Sequence, residues 1–170
     1  MNEEIKTKLT NEAKRIEEDS LYSSKGHFYD AQFWTNFHLW IGMPTVVIAA
    51  IAGGLAFSSV PVFAGILSIL VAASTAVMTF VNPNEKAGAH HNAGVAYNSL
   101  RNDARIFYDV EAHQLTDNKE LLSKLEQLNA RRAKLGEESP QISKRAYSKA
   151  KKGIEIDGEA IYQVDSNADK

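Results

Sequence analysis

Ser68, Thr75, Thr79 and Asn82 recur at i, i+7, i+11 and i+14 along a stretch dominated by apolar residues. At about 100° per residue, a helix would bring all four within roughly 60° of one another. A row of hydroxyl and amide groups down an apolar helix can hydrate an ion path when several copies share an axis. Val71, Leu67 or Met78 beside the row could close such a path by excluding water. The same groups could instead bond to backbone carbonyls of their own helix or of a neighbouring one. Both uses fit the spacing, and the candidate pore-lining set is Ser68, Val71, Thr75, Thr79 and Asn82.

A second constellation is cationic. Between Arg131 and Lys152 stand eight bases, Arg131, Arg132, Lys134, Lys144, Arg145, Lys149, Lys151 and Lys152, against two acids. Such a cluster could hold the phosphates of a nucleotide, a short oligonucleotide or an anionic lipid head, with Tyr147 placed to stack on a base. A solvated basic face balanced by acids after Gly153 would have the same composition.

The five histidines give no metal-ligand spacing. His90 and His91 are adjacent, so on a helix they diverge by about 100° and do not form an i, i+4 pair. A pH-sensing role for them is conceivable. His27, His38 and His113 add no ligand pattern. There is no Gly-rich phosphate loop, no G-x-S-x-G, no H-E-x-x-H and no cysteine. The chain is therefore expected to be neither an enzyme nor a holder of metal or cofactor. Lack of cysteine fits a reducing cytosol.

What must position these groups is set by charge. Nineteen bases and 21 acids leave a net charge of -2, yet none of them falls between Ala31 and Asn84. Residues 37–57 and 61–81 are each long enough for an α-helix to cross about 30 Å of hydrocarbon. Ser58 and Ser59 offer a hydroxyl cap and Pro61 a first helical residue, so the connection reads as a tight turn. Consecutive spans put both termini on one side. Lys14, Arg15 and Lys25 before the hairpin, and Lys86, Arg101 and Arg105 after it, make that side cytoplasmic. Trp34, Phe37 and Trp40 suit the water interface. Pro44 either kinks the first span or is tolerated in its opening turn. With no charge inside either span, selectivity would depend on Asp30, Glu85 and Lys86 at the mouths, and a weakly selective pore is expected.

The expectation is an all-α membrane protein. Residues 1–30 form an amphipathic arm with Ile5, Leu9 and Ile16 at helical spacing, 31–84 the transmembrane hairpin, and 85–170 a cytoplasmic helical region with a C-terminal arm. Asn82-Pro83-Asn84-Glu85 reads as a capping box that ends one helix and starts the next. Ala93, Tyr97, Leu100, Ala104 and Phe107 then follow steps of four and three, a packing seam. Asp117 and Glu120 cap a helix carrying Leu121, Leu125, Leu128 and Leu135, closed by Gly136. Glu138-Ser139-Pro140 is expected to start a shorter basic helix, and 154–164 to form a short strand or ordered arm. Ala64, Ser68, Ala72 and Ala76, with Ala49/Gly53 and Ala50/Gly54, form small-residue faces that allow close helix approach, within one chain or between chains. Two helices cannot enclose a channel, so conduction requires a homo-oligomer.

The chain resembles the SLATT domains, two-helix membrane effectors of bacterial nucleotide-signalled conflict systems. The resemblance rests on Leu39-Trp40-Ile41-Gly42-Met43-Pro44, Asn82-Pro83-Asn84-Glu85-Lys86-Ala87, Tyr97-Asn98-Ser99-Leu100 and Ser139-Pro140-Gln141-Ile142. It implies a pore-forming effector of the bacterial inner membrane, acting against phage infection. It also implies a signal from a nucleotidyltransferase-derived nucleotide or oligonucleotide, or from a sensor partner protein, received by the cytoplasmic helices. The competing expectation is a membrane-anchored scaffold that does not conduct.

Overall fold

The computed structural model describes residues 3–57, 60–115 and 117–159. The described residues are all-helical: α1 (Glu3–Ala56), α2 (Pro61–Val81), α3 (Pro83–Ile106), a π-helical turn (Phe107–Glu111), the short α4 (Ala112–Gln114), α5 (Asn118–Glu138) and α6 (Lys144–Glu155). They form two compact units, one from the described residues of 1–30 and 89–170, the other from those of 31–88.

The arm and the first span are one helix. The switch from polar to apolar composition at Ala31 looks like a boundary, but no residue there interrupts the backbone ladder, and α1 runs unbroken through 54 residues. Pro44 is consequently an interior proline, where it removes one i→i−4 bond. It is not in an opening turn.

In the hairpin unit, the non-exposed residues of α1 include Ala31, Trp34, His38, Ile41, Thr45, Ile48, Ala52 and Leu55. Those of α2 are Ala64, Leu67, Val71, Ser74, Met78 and Val81. Both series step by three and four, the repeat of helices that pair along a seam. Only 6% of the apolar stretch of each helix is buried in the chain, whereas the core helix of a soluble protein would be mostly buried. Trp40, Val62, Ile69 and Phe80 point outward. Ser58 and Ser59 lie outside the described residues; Pro61 is the first residue of α2, as its fixed φ favours.

The joint between α2 and α3 is a single residue. Asn82 takes the left-handed conformation (φ 45°, ψ 59°), donates its backbone N–H to the Met78 carbonyl at 3.0 Å and accepts the Lys86 N–H at 3.3 Å. Its side chain departs from the capping-box expectation: the amide donates to the Glu85 carboxylate.

The other unit is a helical body. Ala13 and Ile16 of α1, Leu100 and Ala104 of α3, Phe107, Ala112, and Leu121 and Leu125 of α5 form its core, with Leu9, Tyr108, Leu115, Leu128 and Leu135 packed against it. The expected seam from Ala93 to Phe107 is buried at every position. Asp117 caps α5 by accepting the Lys119 N–H. Gly136 does not close α5, which continues to Glu138. Pro140 sets the stop instead, by disfavouring the helical region for Ser139, which is extended (φ -81°, ψ 145°). The next helix therefore begins later than residues 138–140, at Lys144, with the Ser143 hydroxyl accepting the Ala146 N–H at 3.1 Å. Ile154 and Glu155 end α6, and residues 156–159 form no strand; 160–164 lie outside the described residues.

Candidate functional site

The seam divides the candidate pore residues. Val71 is half-buried on it, together with Leu67 and Met78, whereas Ser68, Thr75, Thr79 and Asn82 are exposed, each one position beyond a seam residue. One residue is 100° of rotation within α2, so Ser68, Thr75 and Thr79 run beside the seam and do not face α1, while Asn82, left-handed, lies past the end of the helix. Val71 does not share the face of Ser68, Thr75 and Thr79, and the three residues read as bordering gates already pack within the hairpin. Three hydroxyls donate to their own helix: Ser68 to the Ala64 carbonyl (2.8 Å), Thr75 to Val71 (2.8 Å) and Thr79 to Thr75 (2.9 Å). A hydroxyl bonded in this way keeps its lone pairs free to accept.

Of the small residues, Ala64 is buried, while Ala49, Ala50, Gly53, Gly54, Ala72 and Ala76 are exposed. A Cβ built on Gly53 or Gly54 would meet nothing within 4 Å. Apart from Ala64, these positions lie off the seam between the two spans. At the polar end of the hairpin, the Lys86 ammonium lies 4.5 Å from the centre of the Trp34 ring. Asp30 is no mouth charge: it is 3% exposed, and its carboxylate accepts the Ser143 N–H and hydroxyl, both at 2.7 Å.

The basic residues are distributed over separate partners. Arg131 donates to Asp103 and, at 2.9 Å, to the Ser99 hydroxyl; Arg132 donates to Asp19. Lys134 pairs with Glu138 at 3.8 Å and Lys151 with Glu155 at 4.0 Å. Lys149 sits 4.6 Å from the Tyr29 ring centre, and Tyr147 faces Tyr22 at 6.4 Å between centroids. Lys144, Arg145 and Lys152 are exposed on α6. Acids and rings brought in from α1 and α3 thus take up much of what looked like one cationic field. Arg131 also lines a cleft of about 440 Å³ between α3 with its π-helical turn and α5. Ile106, Phe107 and Leu128 supply apolar lining, the Arg131–Asp103 and Lys124–Glu111 pairs supply charge, and Gln127 supplies an amide.

A buried polar centre escapes the sequence reading. His27 on α1 and His90 on α3 are 2% and 6% exposed, with their Nδ1 atoms 3.0 Å apart. Tyr97 stacks on His27 at 5.5 Å. Burial pulls His27 from 6.5 down to about 4, the His90 charge acting the same way and Asp30 opposing. Burial lowers His90 as well, again against Asp30. The signal was present as periodicity: Ile16, Ser20, Ser24, His27 and Ala31 continue one buried face of α1, although three of them are polar. Among the described residues, no group of three or more His, Cys, Asp and Glu could hold a metal ion.

Residues 9–165 match the family described as SMODS and SLOG-associating 2TM effector domain, family 4. The chain belongs to the SLATT family. No curated protein and no solved structure matches it. SLATT domains are two-transmembrane effectors linked to defence systems, so the apolar helices belong to a membrane protein.

The residues that carried the SLATT resemblance have structural roles in this chain. Tyr97 covers His27, Ser99 accepts from Arg131, and Leu100 is fully buried. Ile142, in the segment before α6, comes so close to Gly26 that a Cβ there would lie 3.0 Å from it. Leu39, Trp40, Met43 and Pro44 line an apolar groove of about 580 Å³ on α1, with Val47 and Ile48.

Proposed function

We propose that this SLATT protein is a pore-forming effector of bacterial anti-phage defence, assembling as a homo-oligomer in the inner membrane with its helical body and both termini in the cytoplasm. Ser68, Thr75, Thr79 and Asn82 line a weakly selective ion path. A nucleotide, short oligonucleotide or sensor protein acting on the body sets the open or closed state. The observation that carries this reading is the position of the row: the seam between the spans is mostly apolar, with His38, Thr45 and Ser74 as its polar members, and Ser68, Thr75, Thr79 and Asn82 lie off it. In hydrocarbon such a row gains from water or from a second chain. The small-residue faces, also left outward, suit close approach between copies. For a ligand, the cleft beside Arg131 has the dimensions of a small-molecule site.

A non-conducting membrane scaffold is favoured by one observation, that the Ser68, Thr75 and Thr79 hydroxyls already have carbonyls of their own helix. Ion release from liposomes containing the purified protein, with and without added nucleotides, separates the two. Release supports the pore; tight vesicles at every protein density, with nucleotide present, support the scaffold.

A further inference from the structure

Inside the helical body, α1 and α3 meet through two imidazoles. Their Nδ1 atoms face each other at 3.0 Å, with ring centroids 5.2 Å apart and planes at 45°. Neither ring is more than 6% exposed, so water does not substitute for the contact. Two imidazole nitrogens form a hydrogen bond only when one carries a hydrogen and the other does not. The neutral pair is therefore one Nδ1–H ring donating to one Nε2–H ring.

The groups facing the pair are few. From α1 comes Asp30, one turn beyond His27, its carboxylate held by Ser143. From α3 comes Tyr97, stacked on His27. Ser143, in the segment before α6, touches the Asp30 carboxylate and does not titrate. A first added proton enters at Nε2 of the donor ring. That ring still donates from Nδ1, the other still accepts, and the Asp30 carboxylate balances the charge. A second added proton finds only the accepting Nδ1. Both facing nitrogens then carry hydrogen and positive charge, and the contact becomes repulsive.

We propose that His27 and His90 form a proton-counting clamp between α1 and α3, closed with no or one added proton and opened by the second. Burial disfavours charge on both rings, which keeps the clamp closed at neutral pH. His27 lies on the last turn of α1 before the hairpin unit begins at Ala31, and His90 is the second residue of the body along α3. The clamp thus holds together the two strands of chain that connect body and hairpin. It does not depend on whether the hairpin conducts.

The test uses the full-length protein in detergent micelles with 15N-labelled histidine. At pH 7 the 15N shifts of His27 and His90 are expected to report two neutral rings of opposite tautomer. Two Nε2–H rings, or an imidazolium at pH 7, overturn the proposal. Hydrogen exchange, corrected for intrinsic rates, then follows acidification to below about pH 4. Protection over 20–30 and 89–97 is expected to fall by about ten-fold or more beyond any fall over 121–135. His90→Asn keeps an acceptor for the His27 Nδ1–H but cannot take the second proton, so its loss in excess of that over 121–135 should be less than about two-fold. Equal acid loss in H90N and wild type overturns the clamp, as does a wild type that keeps full protection. If H90N does not fold, the tautomers and exchange of the wild type still decide.

Discussion

The carboxylate of Asp30 accepts two hydrogen bonds of 2.7 Å from Ser143, one from the backbone N–H and one from the hydroxyl that itself caps α6. A buried acid on α1 thereby fixes where a basic helix starts. Further along, Tyr22 donates to Glu155 at 2.9 Å and Lys25 to Glu159 at 2.5 Å, so α6 lies antiparallel to α1 and is held at both ends. Asp30→Ala should loosen α6 by about 1–3 kcal/mol, the worth of hydrogen bonds to a charged group. Hydrogen exchange should accelerate over 144–155 and stay unchanged over 121–135. Unchanged exchange in α6 would remove Asp30 from this role.

Acid should destabilise the body in a defined window. His27 titrates at about 4 in the folded chain against 6.5 ordinarily, so between these values the unfolded chain binds more protons. Its contribution is complete above pH 6.5 and is lost progressively down to about pH 4, at about 1.4 kcal/mol per pH unit. His90 shifts the same way and adds to the slope. Glu159, held below its usual range chiefly by the Lys25 hydrogen bond, loses its contribution only at lower pH. Denaturant midpoints in mild detergent across this range measure the slope, and a flat profile contradicts it.

Two glycines of α3 should respond oppositely to alanine. At Gly94 an added Cβ would stand 2.9 Å from the Phe28 ring, whereas at Gly88 it would meet nothing within 4 Å. Gly94→Ala should cost about 1–3 kcal/mol through displacement of Phe28. Gly88→Ala should stabilise by about 0.5–1 kcal/mol, because an interior helical glycine leaves more freedom in the unfolded chain. Thermal midpoints of the two variants check the sign.

Replacing Thr75 and Thr79 together by Leu keeps α2 helical and leaves the seam untouched, since both side chains lie off it. Liposome ion flux should fall at least about ten-fold if they line the path. Wild-type flux from this variant would place the path on another face.

Much of this architecture was legible because it is written in spacing. The seam from Ala93 to Phe107 and the leucines of α5 follow helical periodicity, and both pack as it requires. The spans show as a long stretch without charge. The continuity of α1 was hidden by a composition change at Ala31 that alters solvent preference without altering helix formation. The His27–His90 centre was hidden because its face carries Ser20 and Ser24, which hydropathy reads as outward although both are buried. The partners of the basic cluster were hidden for a different reason. Adjacency in sequence counts charges, but Asp19 and Asp103 reach Arg132 and Arg131 from other helices.

The three-and-four repeat shared by α1 and α2 restricts how these spans can change length. One residue inserted between Ile41 and Ala52 would turn everything beyond it by about 100°, carrying Ala52 and Leu55 off the side that meets α2. Seven inserted residues would bring them back to within about 20°. Eleven would do the same, so relatives that preserve this pairing should differ in span length by about seven or eleven residues or not at all.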